Sequence, residues 1–307
     1  MNAERPQTPE TPLVSVIIPH LNDLAGLNVC LARLCQQSYP HDRFEVIVAD
    51  NGSDCDLATL QGLIADRARL VFASVRGAGP ARNAGVAAAR GGILAFTDAD
   101  CEPASDWLES GVSALREDSF VGGSVTVTVR DVERPTPAEA VELAFGFQIA
   151  RYAKSRGFVA SCNLFVTRDD FHRVGGFLAE VSEDVEWCWR AQALGLQLTF
   201  DPNIRIAHAA RSTWPALRDK YARVTDETFH LGRTRRPPGL RWTLRALAIA
   251  ISPLLQGGRL LVDRRVPRMT TRMKALGLLC ALRARRALRM IELLGEATKL
   301  TNSDPVR

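Results

Sequence analysis

The chain has 307 residues, 46% of them hydrophobic and 24% charged, the balance of an ordinary globular protein with room for one large α/β domain and an appendage. Its net charge of +5 conceals an asymmetry: residues 233–307 hold 17 Lys/Arg against 4 Asp/Glu, about +13, and the rest 22 against 30, about −8. Seven scattered cysteines, odd in number and without Cys-x-x-Cys, exclude a disulfide framework or a Cys-x-x-Cys zinc site and point to reduced thiols in a cytoplasmic protein.

Residues 1–12, polar and rich in proline, read as a disordered lead-in and not as a signal peptide. Val14 to Pro19 is a β-branched apolar run ended by proline, a buried strand. Asp23 is placed to cap a helix through Leu27, Leu31 and Leu34. Phe44 to Ala49 is a second strand, with its turn at Asp50-Asn51-Gly52-Ser53, and Leu57, Leu60 and Ile64 mark one face of the next helix. Leu70 to Ala73 is a short strand, and Pro80 to Arg90 an alanine-rich helix closed by Gly91-Gly92. The apolar run that follows is a strand opening into Asp98-Ala99-Asp100. This strand–helix alternation predicts an α/β fold, a Rossmann-like, mostly parallel sheet with helices on both faces. Beyond it, Val121 to Val129 alternates like an edge strand, residues 136–155 look helical, and Ser161 to Val166 is another strand. A helix from Asp169 stops at Gly175-Gly176, and Ser182 caps a helix with Glu183, Asp184 and Glu186 in its first turn.

After Gly232 the character changes. Arg233 to Arg236 is basic, Pro237-Pro238-Gly239 is a breaker, and residues 233–307 read as a basic amphipathic helical tail. Leu244 to Val262 is apolar, but Arg245, Pro253, a glycine pair and Arg259 interrupt it, leaving a charge-free core too short for an ordinary membrane span. Met273 to Leu294 is amphipathic and carries Arg283, Arg285, Arg286 and Arg289. Residues 240–295 therefore fit an anionic membrane surface, at the inner face of the plasma membrane for a cytoplasmic protein. Packing on the catalytic domain or a second subunit is the alternative. No nucleic-acid-binding motif accompanies the basic patch, so nucleic acid is not an expected partner.

The chemistry concentrates at strand ends. Asp98 and Asp100 sit where a strand opens into a loop, at the carboxyl edge where open α/β sheets bind ligands. Two carboxylates there suit Mg²⁺ or a similar hard cation shared with substrate phosphates. Four motifs occur in order: Val14-Ser15-Val16-Ile17-Ile18-Pro19; Val48-Ala49-Asp50-Asn51-Gly52-Ser53 with Asp56; Gly79-Pro80-Ala81-Arg82-Asn83-Ala84-Gly85 ahead of Asp98-Ala99-Asp100; and Gly175-Gly176-Phe177 followed by Glu183-Asp184-Val185-Glu186-Trp187. The set resembles the family-2 inverting nucleotide-sugar glycosyltransferases of GT-A fold, over roughly residues 13–210. The resemblance implies a glycosyltransferase domain over residues 13–232, with a nucleotide-binding half at 13–105 and an acceptor half at 106–232.

The resemblance also assigns roles. Asp50 contacts the nucleoside of the donor; Pro19 and His20 flank its base; Arg82 pairs with base or phosphate; Asp98 touches the ribose and the metal shell. Asp100 is the direct ligand of a Mn²⁺ or Mg²⁺ ion, and His208 completes that shell or touches the diphosphate, with Arg211 a phosphate partner. Asp184 is the catalytic base that takes the proton of the acceptor hydroxyl. Glu183, Asn163 and Trp187 are acceptor-binding candidates. The expected reaction is the transfer of a single sugar from a UDP-sugar to a glycan or lipid-linked acceptor of the cell envelope. The Gln-x-x-Arg-Trp motif of processive synthases is missing: Arg241-Trp242 follows Pro238-Gly239-Leu240. Two other readings compete. A nucleotidyltransferase acting on a sugar phosphate would carry a glycine-rich basic loop after the first strand, where His20-Leu21-Asn22-Asp23 stands. A non-catalytic sugar-nucleotide or glycan-binding relative would have no need of Asp98, Asp100 and Asp184 together.

Overall fold

The structure is a computed structural model that describes residues 11–235 and 239–303. Most of the lead-in expected over residues 1–12, and the prolines of the 237–238 breaker, lie outside the described residues. In chain order the elements are β1 (Val14–His20), α1 (Leu24–Leu34), β2 (Phe44–Asp50), α2 (Leu57–Ile64), β3 (Arg69–Phe72), α3 (Ala78–Ala88), β4 (Ile93–Phe96), β5 (Cys101–Pro103), α4 (Trp107–Ala114) and β6 (Ser119–Thr128). There follow α5 (Pro137–Phe145), α6 (Ile149–Arg156), β7 (Leu164–Thr167), α7 (Arg168–Val174), α8 (Glu183–Ala193), β8 (Gln197–Ala209), α9 (Trp214–Arg235), α10 (Leu240–Val262) and α11 (Met269–Ser303). The chain divides into two compact units. The first runs to Val125 and includes Ile149–Ala179 and Trp187–Ala207; the second comprises Thr126–Gln148, Glu180–Glu186 and the chain from His208 onward.

The sheet of the first unit has eight strands in the order β3-β2-β1-β4-β7-β6-β8-β5, the last residues of β6 and β8 running on into the second unit. β3, β2, β1 and β4 are parallel, in a register that aligns Val14 with Phe44 and with Ile93. β7 pairs antiparallel with both β4 and β6, so the sheet is mixed, with a parallel half built by helical crossovers. β1 and β4 are buried on both faces, as their unbroken apolar runs require. Gly91 and Gly85 let this half close up. A Cβ on Gly91 would lie 2.6 Å from the Ser15 backbone nitrogen, and one on Gly85 would lie 2.6 Å from Ile17 Cγ2. Asp23 caps α1 by accepting from Gly26 N at 2.9 Å, as its sequence position implied.

Three details escaped the sequence reading. Residues 136–155 form two helices, α5 and α6, with Gly146 after the first, where a Cβ would meet the Glu142 carbonyl oxygen at 2.5 Å. The N-terminus of α5 is a capping box between Thr136 and Glu139. Ser161–Asn163 is a 3-10 turn that leads into β7.

In the second unit α5, α9, α10 and α11 share an apolar core of Val141, Leu217, Leu260, Ala275, Leu279 and Leu282. A second cluster joins Phe229, Trp242, Ala246, Met290 and Leu293. α9 runs through Gly232 to Arg235 without a break. α10 is also continuous, although Pro253 lies inside it. Proline removes the N–H that would bond the Ile249 carbonyl, and the Ser252 hydroxyl donates to that carbonyl instead, at 2.7 Å. Among the described helices α10 alone is long and apolar enough, by length and composition, to cross a membrane, which corrects the expectation that its apolar core is too short to span one.

Candidate functional site

The parallel half of the sheet brings polar side chains together at its carboxyl edge. Register places His20, the last residue of β1, directly beside Asp50, the last residue of β2. His20 Nδ1 lies 3.1 Å from Asp50 Oδ1. A carboxylate only accepts, so Nδ1 carries a proton and donates to it. His20 is 1% exposed, and its Nε2 has no partner among the described residues. Asp50 also accepts from Ser53 Oγ at 2.6 Å, Ser53 N at 3.0 Å and Gly52 N at 3.1 Å. Burial pushes the Asp50 carboxyl up, but the bonds from Ser53, His20 and Gly52 outweigh it and hold the carboxyl below its ordinary value. Next in the turn, Asn51 does more than turn the chain: its Oδ1 accepts from Gly77 N at 2.8 Å, ahead of α3. Gly77 has φ +135, a conformation that favours glycine. Pro19 precedes His20 at the same edge and pairs with Ala49 of β2.

The β4 end carries the acidic pair. Thr97 N donates to Ile17 O, and Cys101 N to Asp98 O at 3.1 Å, so Asp98 and Asp100 occupy one tight turn between β4 and β5. Arg82, 2% exposed on α3, donates from Nη2 to Asp98 Oδ1 at 2.5 Å. Its guanidinium also lies 5.8 Å from the centre of the Phe177 ring. Asn83 secures that ring's backbone from the next position, donating from Nδ2 to Phe177 O at 2.8 Å and accepting from Phe177 N at 2.9 Å. The Gly175-Gly176-Phe177 motif is thus tied to the Arg82-Asn83 motif, 94 positions away in the chain. A Cβ on Gly176 would sit 2.8 Å from Asn83 Oδ1. The negative charge at this turn is felt below it: the Cys30 thiol is pushed up by burial, then by Asp98 and Asp100. Paired carboxylates with part of their surface open to solvent are a donor set suited to a hard divalent cation.

The second unit holds the other acidic candidates. Glu183, Asp184 and Glu186 open α8, where Glu186 N donates to Ser182 O at 3.0 Å. Asp184 Oδ1 accepts from Val185 N at 2.8 Å. Glu227 on α9, which no motif marks, lies close enough to Glu183 to feel its charge. Burial raises the Glu227 carboxyl, Arg223 (Nη1 to Oε1, 3.0 Å) opposes this, Glu183 reinforces it, and the balance is upward. His208, near the end of β8, packs its ring against Phe147 with centroids 4.9 Å apart. Its Nδ1 is 2.9 Å from Ala209 O, so Nδ1 donates and Nε2 is the nitrogen with ligand character. Arg211 N donates to Glu142 Oε2 at 2.6 Å, and Lys220 pairs with the other oxygen of that buried carboxylate.

Two acceptor-binding expectations are corrected. Asn163 is 1% exposed and its amide is fully engaged: Oδ1 accepts from Trp107 Nε1 at 2.9 Å, and Nδ2 donates to Ser124 O and Ile204 O, both at 3.0 Å. It ties β6, β8 and α4 together and has no face left for a sugar. Trp187 is 0% exposed, donates to Gly175 O at 2.9 Å, and packs on Phe120, Phe171 and Phe177. It is a core residue that seats α8 against the glycine motif. Trp189 takes a different course, donating its indole N–H to Arg156 O at 2.8 Å.

Comparison with known proteins adds to this geometry. The sequence profile of Glycosyl transferase family 2 matches residues 15–175. Glycosyltransferase AglE of Haloferax volcanii is 33% identical over 222 residues, 70% of this chain and 72% of its own length. The pre-mycofactocin glycosyltransferase of Mycobacterium tuberculosis is 30% identical over 229 residues, 71% of this chain; the match spans only 46% of that longer protein. Among solved structures, the mannosyltransferase PcManGT from Pyrobaculum calidifontis, in complex with GDP-Man and Mn²⁺, superposes with a TM-score of 0.55 at 19% identity, over 96% of this chain and 80% of its own. GalNAc-T7 with UDP, GalNAc and Mn²⁺ superposes at 0.52 and 17% identity, over 66% and 45%.

Proposed function

Since this chain belongs to glycosyl transferase family 2 and has the GT-A fold, we propose that it transfers a single sugar from a nucleotide diphosphate sugar, UDP-linked, to a hydroxyl acceptor, with inversion and with a divalent cation. The observation that carries this reading is the grouping of His20 with Asp50 and of Arg82 with Asp98, beside Asp100, at one sheet edge. His20 Nε2 is a buried polar atom without a partner among the described residues, suited to a polar edge atom of the donor base. Asp50 already accepts four bonds, so it binds the nucleoside by exchanging one of them. Arg82 orients Asp98 and balances part of its charge. Asp98 and Asp100 are the groups we assign to Mn²⁺ or Mg²⁺. When bound, that ion supplies Lewis-acid stabilisation of the departing diphosphate.

Asp184 is the proposed base. It takes the proton of the acceptor hydroxyl as that oxygen attacks the anomeric carbon; the C–O bond to the diphosphate breaks and the nucleoside diphosphate leaves. Glu183, its neighbour, is the remaining acceptor-binding candidate. An acceptor of the cell envelope, glycan or lipid-linked, and a cytoplasmic location fit a basic tail and reduced thiols. The test has two arms. Thermal-shift screening of nucleotide sugars with and without Mn²⁺ identifies the donor, since a ligand of the native state raises its melting temperature. Asp184→Asn is expected to retain the donor-induced shift and to lose transfer by at least about 100-fold. Near-normal transfer by that variant removes Asp184 from the base role, and release of pyrophosphate in place of nucleoside diphosphate overturns sugar transfer itself.

A further inference from the structure

The two long helices of the tail expose apolar surface in an ordered way. On α10, Leu240, Leu244, Leu247, Ile251, Leu254, Leu255 and Val262 all lie outward, Leu254 at 87% and Leu255 at 82% exposure. Their spacing of four, three, four and three residues is that of one helix face. The opposite face is committed. Trp242, Ala246, Ser252, Pro253, Gly257 and Leu260 are buried, the Trp242 indole donates to Met290 O at 2.8 Å, and a Cβ on Gly257 would strike Leu276 Cδ1 at 2.6 Å. The helix is therefore apolar on both sides, and α11 covers only one of them.

Charge selects the occupant of the open side. Leu240–Val262 holds Arg241, Arg245 and Arg259 and no acidic residue; just after it Asp263 is ion-paired with Arg265 at 2.7 Å, and Arg264 and Arg268 add two further basic side chains. Arg241 and Arg259 stand about five helical turns apart and so fall on the same flank of the leucine stripe. Two copies of this face brought together would crowd like charges. An anionic lipid surface accepts the leucines among its acyl chains and the arginines among its headgroups. Packing also decides the orientation. α11, against which α10 is fixed, carries Arg283, Arg285, Arg286, Arg289, Glu292 and Glu296, and Arg289 is held by Asp226 of α9 at 2.9 Å. A helix fixed to so charged a neighbour cannot run through hydrocarbon, although its length would allow it.

We propose that the Leu240–Val262 helix lies in the plane of an anionic membrane, its leucine stripe inserted at the headgroup–acyl boundary and its opposite face still packed on α11. This is independent of the sugar-transfer chemistry, because the readout is partitioning. The full-length protein is floated with vesicles of phosphatidylcholine, or of equal parts phosphatidylcholine and phosphatidylglycerol. The expected result is binding to the anionic vesicles, weak binding to the neutral ones, and release by salt. The double variant Leu254→Glu/Leu255→Glu changes only outward side chains. It is expected to keep its helicity and melting temperature and to partition at least about tenfold more weakly. Leu247→Trp and Leu255→Trp each add one tryptophan to the five native ones, and the quenching of each variant by lipids brominated at known depths, taken as the difference from wild type, is expected to report the same shallow depth. Depths that increase steadily along the helix would establish a span and overturn the in-plane assignment. Wild-type protein that ignores anionic vesicles, or that dimerises in sedimentation velocity through a contact the double variant abolishes without any vesicle binding, would overturn the lipid assignment.

Discussion

Replacing Asn163 by alanine separates a structural amide from a ligand-binding one. The side chain serves three partners inside the first unit: the indole N–H of Trp107 and the carbonyls of Ser124 and Ile204. Trp107 is 0% exposed, so its N–H finds no water when Asn163 is cut back. An orphaned buried group costs about 1–3 kcal/mol. The indole N–H has one bonding direction and belongs at the upper end of that range. The two carbonyls have a second lone pair each and belong at the lower end. With the small cavity the substitution leaves, the loss is about 3–5 kcal/mol. For a chain of 307 residues each kcal/mol moves the melting temperature by about 1.5 °C, so the fall is about 5–8 °C. Thermal and urea unfolding followed by circular dichroism measure it, with an unchanged urea slope showing that the unfolding reaction is the same one. A variant that melts like the wild type and has lost affinity for its acceptor would show the reasoning to be wrong and return Asn163 to the acceptor site.

Two carboxyls predict opposite pH behaviour. Asp50 has a lowered pKa, so its stabilising contribution is present above the ordinary aspartate range and is lost as the pH falls through its own value. Asp50→Asn turns an NH₂ toward donors that a carboxylate accepted. It is expected to cost about 1–3 kcal/mol at pH 7, with the gap to wild type closing as the solution is acidified; a gap that stays constant from neutral to acid pH contradicts the assignment. Glu227 has a raised pKa, so its contribution is present below the ordinary glutamate value and is lost as the pH rises through its own. Glu227→Gln should leave the melting temperature unchanged in acid and raise it at neutral and higher pH, and destabilisation at pH 8 would mean that the Arg223 pair outweighs burial.

The parallel half of the fold was legible because its signals are local. Mostly apolar runs ending at Pro19, Asp50 and Asp98 read as buried strands, and their carboxyl ends meet by the geometry of a parallel sheet. Asp23 likewise declared itself as a cap. The pairing of Arg82 with Asp98, and of Asn83 with Phe177, joins positions that no spacing rule connects, so the sequence showed the motifs without the reason they travel together. Asn163 and Trp187 misled for a related reason. A polar amide and a tryptophan beside functional motifs have the chemistry of sugar contacts, and the same chemistry serves to saturate strand carbonyls or fill a core. Residue type fixes what a side chain can bond; burial decides whether a ligand can reach it.

The tail shows the same limit from the other side. Apolar residues occur almost all round α10, so periodicity alone does not say which stripe is the core and which is left over. The buried set is identified by fit: Gly257 gives way to Leu276, Trp242 reaches a carbonyl of α11, and Ser252 repairs the bond that Pro253 removes. Each of these is specific to packing against protein. The outward stripe is leucine, isoleucine and valine around the exposed Gly258, and a Cβ on that glycine would meet nothing within 4 Å, whereas one on Gly257 strikes Leu276. A surface built to meet a second protein copy would be expected to carry such matched features, since close packing demands them. A surface built to meet fluid acyl chains has no need of them. The contrast between the two faces of one helix is therefore itself an argument for lipid, and it is independent of the charge count that first suggested a membrane.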